Sequence, residues 1–367
     1  TFIYSTFAVQ TFYVEKNMRK LYLDNIRWAT VLVVIVYHVF YLFNACGVFG
    51  GVGSFAPVQY QDAFLYFVYP WFMVLLFLIA GMCARYSLEK YSAKDFIKMR
   101  TRTLLVPSTI GLFVFYWLVG LLNIKAGGGF EQMKSLPKIA LYFISVASGI
   151  GPLWFAQMLW LFSIILPVIK KLDKNDLFYN LCKKSNYAVI ILLVLILWGT
   201  SQILNAPVIT VYRFGIYFAS YLIGYFVLSH DEVQDKIQKM HIPFLALAVA
   251  TGCVYVWYYF GQNYTDDSVL KSLFTNAYCW AMCLAILGCA KTWFDKQGKF
   301  ARYMTKANFG FYALHIFCET GIAYLLKTYS ALPPAAIYIF TLFSGLLGTA
   351  ILYEVLKRIP FVRYTVL

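Results

Sequence analysis

Charge is scarce in this sequence. Lys, Arg, Asp and Glu make up 13% of its 367 residues, and histidine occurs only four times. Soluble domains are about a quarter charged and about half apolar. Here 61% of residues are hydrophobic and the mean hydropathy is +0.68, so a water-soluble globule is excluded. The four histidines are scattered, and the eight cysteines contain no C-x-x-C pair. That leaves no zinc-type spacing, so no metal is expected and the cysteines read as reduced, buried thiols. The ten-residue alternation of an outer-membrane barrel is missing as well. Acidic residues are the scarcest charged class, 16 against 31 basic ones, for a net charge of +15. The basic excess is spread over separate loops and forms no stripe, so nucleic acid is not the expected partner. The opening residues lack the basic stretch and cleavage signature of a signal peptide. Residues 1–20 therefore read as an N-terminal cytoplasmic segment or an added remnant, and 21–367 as one transmembrane domain.

What the sequence has in abundance is windows of about twenty apolar residues, each long enough to cross a bilayer. Ten are expected, at about 27–45, 62–84, 103–123, 140–168, 187–204, 211–229, 242–260, 270–290, 308–326 and 334–356. The fourth is long and is expected to break at Gly149-Ile-Gly-Pro152. The fold class that follows is an all-α, polytopic transmembrane helix bundle with the lipid bilayer as its first partner. An even number of spans puts both termini on one side, and 25 of the 31 basic residues fall there, Lys16, Arg19, Lys20 and Arg27 among them. The other side holds Lys125, Lys134, Lys138, Arg213, Lys271 and Lys327. The positive-inside rule then makes both termini cytoplasmic. The outer loop 46–60 is glycine-rich (Gly47, Gly50, Gly51, Gly53). Glycine favours turns, so a flexible loop is expected there, with folding back onto the bundle as the alternative.

The stretch 22–39, Tyr-Leu-Asp-Asn-Ile-Arg-Trp-Ala-Thr-Val-Leu-Val-Val-Ile-Val-Tyr-His-Val, enters the membrane carrying Arg27 and His38. Eleven residues of a helix make nearly three turns, so the two share a face and stand about 16 Å apart. If Arg27 marks the surface, His38 lies near the midplane, where an ionisable group is a functional candidate. A core histidine bonded to a backbone carbonyl is the competing reading. Asp24, three residues before Arg27, is placed to pair with it. Arg27 alone also reads as a snorkelling anchor.

Span nine carries a second polar stripe, Asn308, Tyr312, His315 and Glu319, at i, i+4, i+7 and i+11. It runs in the same direction as span one, so Glu319 reaches about the depth of His38. A buried carboxyl without a partner is costly. Glu319 is therefore expected to bond His38 or His315, or to face water, with a structural pair that locks the bundle as the alternative. The densest basic segment, 85–102, holds Arg85, Arg100 and Arg102 and follows Phe77-Leu-Ile-Ala-Gly81. Anionic headgroups explain such residues in general. Below a polar core they also suit a phosphorylated ligand, because Arg binds phosphate bidentately. Trp154 and Gln157 in the stretch 151–157, and Arg213 on span six near the outer surface, either meet an acceptor or anchor the interface.

These residues carry a resemblance. Leu-Asp-Asn-Ile followed by Arg27 and His38 resembles the signature of the acyltransferase-3 family of bacterial integral-membrane O-acyltransferases. Phe77-Leu-Ile-Ala-Gly81, the basic approach Phe96–Pro107, Gly151-Pro-Leu-Trp-Phe155 and Phe311-Tyr-Ala-Leu-His315 resemble its further segments in order, from about 20 to 360. Asn25–Trp28, Trp71–Met73 and Gly151–Trp154 look closest to the glucan succinyltransferase-like branch. The G-V-D-x-F-F stretch of the commoner branch is absent.

The resemblance implies O-acylation of a carbohydrate or other envelope hydroxyl at the bacterial inner membrane, with acyl-CoA (acetyl-CoA or succinyl-CoA) as cytoplasmic donor. His38 is then the expected general base, with Glu319 or His315 orienting or relaying. Arg27, Arg85, Arg100 and Arg102 are expected at the donor phosphates, and Asp24, Trp154, Gln157 and Arg213 on the substrate side. An arginine near the acyl pocket favours succinyl, and Arg213 is the candidate. Direct transfer and an acyl-enzyme route both stay open. The competing function is a proton-coupled transporter or flippase built on His38, His315 and Glu319. The sequence is silent on oligomeric state.

Overall fold

The computed structural model describes residues 20–48, 51–207 and 211–366. Lys16, Arg19 and Gly50, used above, lie outside the described residues. In chain order the main helices are α1 (Leu21–Leu42), α2 (Tyr60–Lys90), α3 (Ala93–Ala126), α4 (Lys138–Ser148), α5 (Gly151–Leu172), α6 (Tyr187–Ser201), α7 (Phe214–Leu228), α8 (Asp231–Lys239), α9 (His241–Tyr259), α10 (Leu273–Trp293), α11 (Lys299–Tyr329), α12 (Pro334–Leu356) and α13 (Pro360–Thr365). Among the described residues, α1, α2, α3, α5, α9, α10, α11 and α12 are long and apolar enough to cross a membrane. A ninth crossing arises if the short helix Lys174–Cys182 and α6, bent by 106°, count as one. The ten apolar windows thus all form helix, but α6 and α7 are shorter than a full span. Between them sits one antiparallel pair, β1 (Asn205–Pro207) and β2 (Val211–Arg213), with Asn205 opposite Arg213.

The helix boundaries have local causes. Ser92 caps α3 by accepting from the Asp95 amide at 3.1 Å, and Asn186 caps α6 through Val189 at 2.9 Å. Pro152 opens α5 where its missing N–H costs nothing, which produces the expected break after α4. Pro70 cannot donate to Tyr66, and α2 kinks at Tyr69–Trp71. Side chains of α6, α9 and α12 such as Ile191, Leu195, Val249, Trp257, Leu347 and Ile351 stand exposed, a lipid-compatible belt. All eight cysteines are free; Cys46, Cys279, Cys283 and Cys289 are buried, while Cys253 is exposed.

Two packings position the site. α1 lies along α11: Asn25 donates to the carbonyls of Phe294 and Lys296, Trp28 meets Phe300 edge-on at 5.5 Å, and further along His38 meets His315. The two helices therefore run side by side in the same direction. α2 lies against α7 at glycine contacts. A Cβ on Gly81 would stand 2.0 Å from the Tyr221 carbonyl oxygen, and one on Gly224 would stand 2.0 Å from that of Leu78. Only glycine permits this approach.

The loop after α1 folds back rather than hanging free, against the flexible reading. The amides of Val52 and Gly53 donate to the Leu42 carbonyl that ends α1, at 2.7 and 3.2 Å. Lys327 of α11 ties the same turn by donating to the carbonyls of Val52, Gly53 and Ser54. The orphan carbonyl at a helix end is what draws the loop in.

Candidate active site

The centre of the bundle holds two imidazoles. His38 lies one turn before the end of α1, and His315 lies at the middle of the 31-residue α11. His315 Nε2 is 3.1 Å from His38 Nδ1. Each Nδ1 also faces the carbonyl four residues back, Val34 at 2.8 Å for His38 and Phe311 at 3.1 Å for His315. A carbonyl only accepts, so the pattern assigns the tautomers. His315 Nδ1–H donates to Phe311, leaving its Nε2 as a lone pair. His38 Nδ1–H is shared between Val34 and that lone pair. His38 Nε2 is then an unprotonated nitrogen, on a ring that is half-buried while His315 is fully buried.

Aromatic rings wall this pair. Tyr37 meets His38 edge-on at 5.2 Å and Tyr41 does so at 5.8 Å. Tyr37 stacks near Tyr69 at 6.1 Å and shares a hydroxyl contact of 2.9 Å with Tyr264. From the other side Phe155 touches Tyr312 at 5.7 Å, and Trp154 and Phe77 both stack on Tyr217, at 5.5 and 4.9 Å. Tyr312 donates to the Pro152 carbonyl, which binds α11 to the start of α5. His38, Tyr41, Tyr69 and Trp154 keep part of their surface open amid α1, α2, α5, α7 and α11.

Glu319 does not join the pair. It is fully buried, and among the described residues neither carboxyl oxygen has a hydrogen-bond partner. It packs on α12 instead, where a Cβ on Gly345 would stand 2.3 Å from Oε1. The step from His315 to Glu319 adds 40° around the helix, enough to turn the side chain from α1 toward α12.

At the end where α1 and α11 begin, the arginines divide. Arg85 is consumed by structure: it donates to Glu89 at 2.7 Å and to both oxygens of Asp176 at 2.9 and 3.1 Å, and it lies 3.5 Å over the Tyr179 ring. Each of its three nitrogens thus already has a protein partner, which leaves little of its fork for the donor phosphates of the sequence expectation. Arg100 lies within electrostatic reach of Arg27, and its buried Nε has no partner. Arg27 is half-exposed, 3.7 Å from Asp24. Arg102 points outward over Tyr364 of α13. Next to Tyr364, Arg363 joins Lys306, Lys357 and Arg358 around a cavity of about 530 Å³, with Phe309, Gly310 and Tyr353 completing its wall. Gly310 is five residues, about 7.5 Å of helix, from His315. Sequence reasoning counted these basic residues toward topology and missed the cavity, because its walls come from two distant segments.

The substrate-side residues also divide. Gln157 donates to the Ser108 carbonyl at 2.7 Å and joins α5 to α3. Trp154 belongs to the aromatic wall. Arg213 is buried at the end of β2 beyond it, with Nη2 donating to the Leu270 carbonyl at 3.1 Å. Residues 20–354 match the acyltransferase-3 family, described as an acyltransferase domain. The chain belongs to the acyltransferase-3 family. Neither a curated protein nor a solved structure gives a match. As a multi-pass membrane acyltransferase, the chain carries both imidazoles, the aromatic wall and Arg100 inside the matched region. Lys357, Arg358 and Arg363 of the basic cavity fall beyond it.

Proposed function

We propose that this acyltransferase moves an acyl group from acyl-CoA to a hydroxyl of a carbohydrate or other envelope acceptor, with His38 as the base. The observation that carries the reading is the tautomer pattern, which leaves Nε2 of His38 unprotonated on a partly open ring. The acceptor O–H gives its proton to that nitrogen as the oxygen attacks the thioester carbonyl. The C–S bond breaks, an ester C–O bond has formed, and the thiolate leaves with the proton returned from His38. The imidazolium that forms transiently keeps its Nδ1–H on Val34 and His315, so His315 steadies the charged ring. Glu319, bonded to neither histidine, has no part in the proton path.

The donor's phosphates belong at the basic end. Arg27 and Arg100, two cations within electrostatic reach of each other, with the buried Nε of Arg100 unpartnered among the described residues, supply charge and donors for them. The cavity of Lys306, Lys357, Arg358 and Arg363 offers a second set. With this end inward, the protein sits in the bacterial inner membrane and takes its donor from the cytoplasm. The transporter alternative gains nothing from the family match. The test is His38→Ala in protein that still inserts and elutes as wild type, assayed for acceptor-dependent release of free coenzyme A. Undiminished release sinks the mechanism. Mass spectrometry of envelope glycans with and without active protein identifies the acceptor.

A further inference from the structure

Among the described residues, Arg213 is a buried cation without an anion. Its side chain is 2% exposed, it forms no ion pair among the described residues, and its Nε has no hydrogen-bond partner. Among the described residues the acceptor it meets is the Leu270 carbonyl, which Asn276 Nδ2 shares at 3.1 Å while Asn276 Oδ1 goes unpartnered. Asn205 Oδ1, on the strand residue facing Arg213, is buried and unpartnered too. A guanidinium in such a place is costly unless an opposite charge joins it.

Its neighbours show where that charge comes from. Tyr69, Tyr217 and Tyr255 lie within electrostatic reach of Arg213. Tyr217 carries the stacked Trp154, and Tyr69 adjoins Tyr37, whose ring abuts His38. Arg213 thus stands behind the aromatic wall of the imidazole pair, at the end opposite the basic cavity. The rings of Tyr69 and Tyr37 connect its surroundings to those of His38.

We propose that Arg213 recognises a carboxylate carried by a substrate: the far end of a dicarboxylic acyl group or an acidic group on the acceptor. The inference rests on the acyl-transfer reading for its location, and on the uncompensated cation for its chemistry. A fork of parallel N–H donors matches a carboxylate bidentately, which an ammonium does not.

The experiment compares succinyl-CoA with butyryl-CoA, similar in length but neutral, using wild type, Arg213→Lys and Arg213→Gln. If the carboxylate is on the acyl group, wild type favours succinyl-CoA at least tenfold in kcat/KM. Arg213→Gln brings the ratio near one, and Arg213→Lys falls between. If it is on the acceptor, the donor ratio is near one throughout, and wild type favours a uronate-bearing glycan over a neutral one, a preference lost in Arg213→Gln. Wild type indifferent to charge on both substrates overturns the proposal, whatever the variants do. A second readout needs no turnover: succinate raises the melting temperature of wild type more than its monoamide does, and Arg213→Gln loses the difference. Failure of every thioester to turn over would refute acyl transfer. The melting comparison would then still decide whether Arg213 binds a carboxylate, and equal shifts would overturn the proposal.

Discussion

His315 Nε2 stands 3.1 Å from His38 Nδ1 across 277 positions of sequence. On the proposed acyl-transfer mechanism the contact gives the two rings different tasks, because among the described residues one nitrogen of the four is left without a proton and without a neighbour to bond. His38→Ala removes it, and coenzyme A release is expected to fall roughly 10²- to 10⁴-fold, the usual worth of a general base. His315→Leu removes the acceptor for the Nδ1–H together with the bond to Phe311, and should cost roughly tenfold, one hydrogen bond's worth. Steady-state rates on both variants check the division; equal losses would make His315 an equal partner in the proton transfer.

The arginines of the basic end should separate into two kinds by kinetics. Replacing Arg27 and Arg100 together by Gln removes charge-assisted bonds worth about 1.5–3 kcal/mol each, so KM for acyl-CoA should rise at least about tenfold with a smaller change in kcat. Arg85→Gln breaks the pairs to Asp176 and Glu89 instead. Its carboxylate partners are partly solvated, so the loss is about 2 kcal/mol of stability. KM in the surviving protein should be unchanged. A raised KM in Arg85→Gln without a lower melting temperature would return that residue to the donor site.

Part of this was legible from the chain alone. The eleven-residue spacing put Arg27 and His38 on one face, and the parity of the spans gave span nine the direction of span one, which put its polar stripe near His38; that His315 rather than Glu319 meets His38 came from the structure. Periodicity names a face but not the neighbour across it, and that is why Glu319 was misplaced: Gly345, the small residue that receives it, lies on α12. The pairing of Arg85 was hidden for a related reason. Its partner Asp176 is 91 residues away, in a left-handed backbone turn at φ 54° that no local pattern announces. The aromatic wall was hidden by abundance, since with 30 tyrosines none stands out until α2 kinks at Pro70 and turns Tyr69 toward Tyr37.

Stability should fall as the medium becomes mildly acidic. His230, between α7 and α8, donates from Nε2 to the Tyr179 carbonyl at 2.9 Å. Burial pulls its imidazole below the ordinary value of 6.5, outweighing the Tyr179 bond that opposes the shift. A histidine depressed by folding contributes fully above the unfolded value and loses that contribution as pH drops below it. The melting temperature is therefore expected to hold from pH 8 to about 6.5 and to decline below, with a slope of at most about 1.4 kcal/mol per pH unit from this group. His230→Gln keeps an amide donor for Tyr179 and cannot titrate, so its profile should be flatter between pH 6.5 and 5. An unchanged slope would assign the decline to other groups.

The contact between Glu319 and Gly345 is testable by a double-mutant cycle. A methyl on Gly345 would come within 2.3 Å of Glu319 Oε1, so Gly345→Ala must push the carboxyl or part α11 from α12. Overpacking of this kind costs about 1–3 kcal/mol. Glu319→Ala removes the obstacle, and a chain already carrying that substitution should accept the extra methyl at little further cost. The double variant is then more stable than the sum of the single losses by about 1 kcal/mol or more, a coupling expected only of residues in contact. Denaturation in detergent with all four proteins measures it. Additive losses would show that Glu319 points elsewhere, and would reopen a bond from its carboxyl to His315.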